Sequence, residues 1–413
     1  MIAGRPPMGW NSWDCWGAAV SEETVRRNAD FMARNLLEYG WEYIVVDIEW
    51  YQPLAVDHSY PPFSPLTMDG FGRLAPAVNR FPSAAGGMGF KPLADYIHSL
   101  GLRFGIHIMR GVPREAAHRH LPIAGSDFDC GAAANPNSVC QWNPDMYGAR
   151  LDSEAAAAYY RSIFRLYADW GVDFVKCDDI AREYPHYRRE IELISEACRG
   201  CGRDIVLSLS PGPAPIAEAE HLKTYANMWR VTDDFWDDWR LLKDMFPRAA
   251  EWCRHAGPGH WPDQDMLPLG ALRQCEDPAD RTRFTENEQR TMMTLWCVAR
   301  SPLMIGAEMT KMDPFTLSLL TNADVLDILK RSIGARCVRL TGEECVFIAY
   351  RPEGGGYVAL FNLSDGDRTV TAGEDVHEFP VKKATELWTG DTVSGGALSA
   401  RLGPHDAAVY RID

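Results

Sequence analysis

Lys176 and Asp178 stand two residues apart at the end of the apolar, β-branched run GVDFVKCDDI, residues 171–180. Alternate strand residues face the same way, so a strand here places Phe174, Lys176 and Asp178 on one face and Val175 and Cys177 on the other. A cation beside a carboxylate at the C-terminal end of a buried strand is how a parallel β-barrel builds an active site. Further acids follow other short apolar runs. Asp47 closes YIVVD, Asp233 and Asp234 follow MWR with its Arg230, and Asp263 and Asp265 follow GHWP. Arg230 and Asp234 keep the same alternation parity. Carboxylates gathered at one mouth repel each other, so such a cluster implies a chemical use.

Two chemistries need clustered acids. A divalent metal could sit among them, as in barrel sugar isomerases; alternatively, two carboxylates flank a glycosidic bond, one as nucleophile and one as acid/base. An isomerase-type metal site recruits histidines and glutamates. Here His107 is the main strand-end histidine, and Glu49 is the exceptional strand-end glutamate. The residues therefore favour glycoside cleavage, with no metal and no organic cofactor.

The elements that must carry these residues alternate. Strands are predicted near residues 8–10, 43–47, 103–108, 174–178, 205–208, 228–230, 260–261 and 303–305. Helices are predicted over 21–39, 90–100, 153–170, 184–198, 237–251 and 286–300, with Ser21 and Ser153 as N-caps and Gly40, Gly101 and Gly171 as stops. Two long connections, residues 51–87 and 109–152, read as functional loops. Eight strands alternating with helices suggest a (β/α)8 TIM barrel over residues 1–330. The doubly wound alternative lacks its G-x-G-x-x-G turn. From about residue 331 the helical period gives way to short strands separated by Gly and Asp turns. This predicts a small C-terminal antiparallel β-sandwich over 331–413.

With 46% hydrophobic and 24% charged residues in a chain of 413, core material is ample. A net charge of −15 argues against nucleic acid or an anionic membrane as partner. No apolar run is long enough to span a bilayer. Eleven cysteines lack a disulfide rhythm, and the Cys198–Cys201 pair has no second half to complete a zinc site. The opening MIAGRPPMGWNSW shows no leader pattern. The expectation is a cytoplasmic enzyme with reduced thiols, acting on a small carbohydrate or glycoconjugate; a homo-oligomer is left open.

The motifs PPMGWNSW, VKCDD, WRVTDDFWDDW and AGPGHWPDQDML, in that order along the barrel, resemble glycoside hydrolase family 27. That is the α-galactosidase and α-N-acetylgalactosaminidase family, and the C-terminal β-domain also matches its pattern. The resemblance implies a retaining α-glycosidase acting on terminal galactose or N-acetylgalactosamine. By position it makes Asp178 the nucleophile and Asp234 the general acid/base. It also places Trp13, Asp47, Lys176, Arg230 and Asp265 around the terminal sugar. Lys176 would keep Asp178 ionised, and crowded acids would raise Asp234.

Three positions depart from the family. Where it carries two aspartates and then Cys-Trp, this chain has Asp47-Ile48-Glu49-Trp50, so an aspartate that binds hydroxyls on the far side of galactose is gone. Glu49 shares the parity of Asp47 and is a candidate to reach in. Ser210 stands where α-galactosidases present a glutamate to the 2-hydroxyl, which resembles the N-acetylgalactosaminidase members. His107 replaces a tyrosine and is a candidate sugar contact. The cysteines of secreted members are replaced by Glu49 and Ile180. An α-arabinopyranoside or α-glucoside as substrate, or a non-catalytic sugar-binding homologue, are the alternatives.

Overall fold

The computed structural model describes residues 1–412. Eight parallel strands form one sheet: β1 (Met8–Asn11), β2 (Tyr43–Val46), β3 (Arg103–Met109), β4 (Phe174–Asp178), β5 (Val206–Leu209), β6 (Met228–Arg230), β7 (Trp261–Asp263) and β8 (Leu303–Ile305). Their spatial order is β7-β6-β5-β4-β3-β2-β1-β8. The circle is closed just past β7, where Leu267 bridges Ile305 of β8 in parallel. There the Leu267 amide donates to the Met304 carbonyl at 2.7 Å. The result is a TIM-like barrel, as the alternation predicts.

Its interior is filled by inward residues of several strands: Tyr43, Val45, Phe174, Val206, Met228, Trp261 and Met304 pack together. Phe174 thus points inward, whereas Val175 and Cys177 join the outer core beneath the helices. Gly105 on β3 makes room for this packing. A Cβ there would stand 2.9 Å from the side chains of both Phe174 and Val45.

The outer ring holds α1 (Glu22–Asn35), α2 (Lys91–Ser99), α3 (Glu154–Trp170), α4 (Tyr184–Arg199), α5 (Ala219–Tyr225), α6 (Trp239–Trp252), α7 (Glu286–Ala299), α8 (Pro314–Leu320) and α9 (Ala323–Arg331). Ser21 and Ser153 cap α1 and α3, and Gly171 ends α3 in the left-handed conformation. The short α5 follows a proline-rich stretch and carries too few turns for a periodic signal, so the sequence pattern misses it. Among the described residues, no helix is long and apolar enough to cross a membrane.

The two long connections are ordered. Arg80 pins the first of them: its guanidinium donates to the carbonyls of Glu49 at 2.7 Å, Gln52 at 2.9 Å and Val20 at 2.7 Å. Within the second, Val112–Pro113, Met146–Ala149 and Ala134–Val139 form a three-stranded antiparallel sheet. Its polar residues give no strand pattern, so the sequence reads it as loop.

Beyond the barrel lies a six-stranded antiparallel sheet, built from β9 (Ile333–Leu340), β10 (Glu344–Tyr350), β11 (Gly356–Asn362), β13 (Ala384–Glu386), β14 (Thr392–Val393) and β16 (Ala407–Ile412). A two-stranded sheet, β12 (Arg368–Ala372) with β15 (Leu398–Leu402), faces it across a second apolar core that includes Val346, Leu360, Val370 and Leu398. The opposite face, with Phe347, Phe361 and Val409, merges into the barrel core. Polar contacts reinforce the junction: Arg290 of α7 pairs with Asp406 at 2.7 Å, and Trp388 Nε1 donates to Thr294 at 3.0 Å.

Candidate active site

At the C-terminal mouth of the barrel, parallel register sets three side chains in a row. His107 on β3 lies directly beside Lys176 on β4, and Asp47 emerges one residue past β2, whose Val46 pairs with Ile106. His107 Nδ1 is 2.8 Å from Asp47 Oδ1, and its Nε2 is 3.4 Å from Asp178 Oδ2. Lys176 Nζ donates to Asp47 Oδ2 at 3.2 Å. Asp47 also accepts from Asn11 Nδ2 at 2.8 Å and from the Ile48 amide at 2.9 Å. On the other side, Ser210 Oγ donates to Asp178 Oδ1 at 2.9 Å.

The electrostatics follow from these contacts. Burial pushes Asp178 upward, but His107, Lys176 and Ser210 outweigh it and hold the carboxyl down to about 2. Burial opposes ionisation of Asp47 too, and His107 with Lys176 drives it far below the usual carboxylate range. The cations respond in kind. Lys176 and His107 are each disfavoured by burial yet raised by Asp47 and Asp178. An ionised Asp178 is therefore built in.

A second constellation forms beyond β6 and β7. Arg230 Nη2 reaches Asp234 Oδ1 at 3.0 Å and Asp265 Oδ2 at 2.8 Å. The Phe235 amide fixes Asp265 with a 2.8 Å bond. Asp265 is buried, and its burial, opposed by Arg230 and aided by Asp234 and Asp263, lifts it to about 6. The crowding of acids thus acts on Asp265. Asp234 instead faces water, its side chain 63% exposed.

Both constellations open into one cavity of about 370 Å³, lined by Asp47, His107, Lys176, Asp178, Arg230, Asp234 and Asp265 with Trp13. Its aromatic walls come from the connections beyond the strands: Trp13 stacks on Tyr60 at 5.6 Å and 12°, and His58, Trp142 and Trp236 complete the rim. An apolar and aromatic wall with a few convergent polar groups suits a sugar ring.

Comparison with known proteins places this geometry in a family. Residues 153–331 match the family model for alpha galactosidase A, and residues 345–412 match the alpha galactosidase C-terminal beta sandwich domain. The crystal structure of a GH27 β-L-arabinopyranosidase from Geobacillus stearothermophilus is 51% identical, with a TM-score of 0.97, covering 100% of this chain and 97% of that one. The chain belongs to glycoside hydrolase family 27. It is similar at 50% identity and a TM-score of 0.88 to a candidate α-N-acetylgalactosaminidase of Bacillus halodurans, covering 99% of this chain and 97% of the other. Among curated proteins, the alpha-galactosidase of Cyamopsis tetragonoloba is 28% identical over 98% of this chain and 85% of its own length.

In this family 27 glycoside hydrolase, two residues sit differently from the sequence expectation. Glu49 does not line the cavity. It is buried with a positive φ of 69°, and its Oε1 accepts from Asn143 Nδ2 at 3.0 Å. Burial and the neighbouring Asp145 lift its carboxyl well above the usual range. Ser210 does not line it either; its hydroxyl is spent on Asp178, and Pro211 forms the wall there. Of the lining residues that escaped sequence reasoning, one is a buried acid. Asp14, in the one-turn helix Trp13–Trp16, lines the cavity and is buried, with Oδ2 unpartnered. Burial first, then Asp265, raises its carboxyl well above the ordinary value. Only its position beside Trp13 in the GWNSWD motif hinted at it.

Proposed function

We propose that this family 27 enzyme is a retaining glycosidase that removes a terminal pyranose of galacto ring configuration, with β-L-arabinopyranosides as its preferred substrates. A β-L-arabinopyranose ring has the same configuration at every ring carbon as α-D-galactopyranose and lacks only the C6 hydroxymethyl group. The observation that carries the choice is the end of β2. Ile48 is apolar and buried in the core, and Glu49 is turned away onto Asn143. Asp47 is thus the carboxylate that this strand end offers the sugar. The aspartate with which the family motif holds hydroxyls on the far side of galactose is missing here, and a buried hydroxyl left unpaired is costly. The 51% identity to the β-L-arabinopyranosidase supports the same reading.

In the proposed mechanism, Asp178 attacks the anomeric carbon while Asp234 protonates the departing oxygen, giving a covalent glycosyl-enzyme. Asp178 is suited to attack because its charge persists in a buried frame. Asp234 then takes a proton from the water that releases the sugar. Trp13, Asp47, Lys176, Arg230 and Asp265 hold the ring.

The test is turnover of nitrophenyl β-L-arabinopyranoside, α-D-galactoside and N-acetyl-α-D-galactosaminide, with proton NMR of the first-released sugar. Fastest cleavage of the arabinoside with initial release of the β anomer is expected. A faster N-acetylgalactosaminide would overturn the substrate choice, and initial release of the opposite anomer would overturn the retaining mechanism.

A further inference from the structure

One ring nitrogen of His58 is fixed as a donor. Its Nε2 lies 2.9 Å from the backbone carbonyl of Trp13. A carbonyl only accepts, so Nε2 carries the ring proton and the neutral ring turns the Nδ1 lone pair the other way. On that side stand Glu276 Oε1 at 2.7 Å and Cys275 Sγ at 3.9 Å. Ligand atoms of the three residues all lie within 4.8 Å of one another. Two lone-pair bearers at 2.7 Å need a cation between them, either a proton on Nδ1 or a metal ion.

We propose that His58, Cys275 and Glu276 form a zinc-class metal site on the rim of the active-site cavity, separate from the hydrolytic chemistry. Imidazole, thiolate and carboxylate together are a borderline-soft donor set of the kind zinc accepts. A tetrahedral zinc ion would space these atoms about 3.3–3.6 Å apart. Closing the sulfur and opening the carboxylate by about half an ångström achieves that. The turn that presents Cys275 and Glu276 is already anchored, because the amides of Arg273 and Gln274 bond the carbonyls of Asp14 and Cys15 at 2.8 and 2.7 Å. Entry is open through Glu276, whose side chain is 48% exposed. Arg273, which shares this hollow with Arg283, is engaged by Asp237 at 2.9 Å and Asp280 at 2.5 Å. A bound water can take the fourth position.

Loading the site requires the Cys275 thiol to give its proton to solvent. Burial and the adjacent Glu276 push that thiol up to about 11, so the ion must supply the stabilisation of the thiolate. Because His58 packs edge-on to Trp13 at 5.2 Å and against Trp236 at 5.8 Å, a bound ion would pin these cavity walls.

The proposal stands independently of the substrate assignment. Cobalt(II) added to the purified full chain should bind one ion per chain, giving a thiolate-to-cobalt charge-transfer absorption that added zinc abolishes. Cys275→Ser should lose that absorption, and Glu276→Gln, a surface change that leaves the fold intact, should weaken zinc binding by about tenfold or more. Absence of the charge-transfer band in the wild type would overturn the site. So would its persistence in Cys275→Ser, or unchanged zinc affinity in Glu276→Gln.

Discussion

Ser210 Oγ donates a 2.9 Å hydrogen bond to Oδ1 of Asp178, on the side of the carboxylate opposite His107. The serine therefore acts on the proposed nucleophile and not on the sugar. Hydrogen bonds to charged groups contribute about 1.5–3 kcal/mol. Ser210→Ala should lower kcat/KM by about tenfold to a hundredfold, since each ~1.4 kcal/mol is tenfold. It should also raise the pKa of Asp178, because the lost donor favoured the ionised form. The acid limb of the kcat/KM profile then moves to higher pH. A pure KM effect with an unshifted profile would mean that Ser210 touches substrate after all.

His107 joins Asp47 to Asp178 from the adjacent strand. Replacing it by Phe keeps the ring volume and leaves two buried carboxylates sharing Lys176. The expected result is a loss of about a hundredfold or more in kcat/KM, exceeding that of Ser210→Ala because the sugar-facing Asp47 is disturbed as well. The wild type should show a matching pH signature. The folded pKa of His107 is raised above its usual value, so its imidazolium stabilises the fold fully below the unfolded pKa. That contribution is lost as pH rises through the folded value. A melting-temperature profile whose decline above neutral pH is identical in His107→Phe would contradict this.

The strand-end residues were legible because period-two alternation and a terminal position together specify a direction. Phe174, Lys176 and Asp178 needed no tertiary information to be placed on one face. Asp234 and Asp265 lie in loops; their place just after short apolar runs put them at the mouth, and the family resemblance gave them their roles. Glu49 shows where parity fails. It follows Asp47 by two residues, but the backbone has left the strand and reached a positive φ, and Asn143 from a connection nearly a hundred positions away captures its side chain. His58, Tyr60, Trp142 and Trp236 were likewise unreadable, since they reach the cavity through loop paths set by long-range contacts such as those of Arg80. The β15 strand carries little sequence signal, because its approach, SGGALSA, lacks β-branched residues.

Ile48 offers a direct test of substrate choice. Ile48→Asp restores the family's second carboxylate next to Asp47 and supplies an acceptor for a C6 hydroxyl. The ratio of kcat/KM for α-D-galactoside over β-L-arabinopyranoside should rise about tenfold or more, the scale of one good hydrogen bond to a charged group. Ile48 lies in the core, so the variant should also melt at lower temperature. A folded variant with an unchanged ratio would show that the β2 end does not read the sixth carbon.

Glu49 predicts how stability responds to alkali. Its carboxyl shares a buried pocket with Asp145, Tyr51 and Asn143, with Arg80 and Arg114 as the nearby cations. Burial first and Asp145 second raise it from 4.5 to about 8. Between those values the folded chain holds a proton that the unfolded chain has released, so stability falls with rising pH, by at most about 1.4 kcal/mol per pH unit. Above the folded value the loss is complete and the slope ends. Glu49→Gln mimics the protonated state and keeps an amide that can donate to Asp145. Urea titrations from pH 5 to 9 should therefore show a shallower decline in the variant, with the two proteins most alike at the acid end. Parallel curves across that range would place the proton elsewhere than on Glu49.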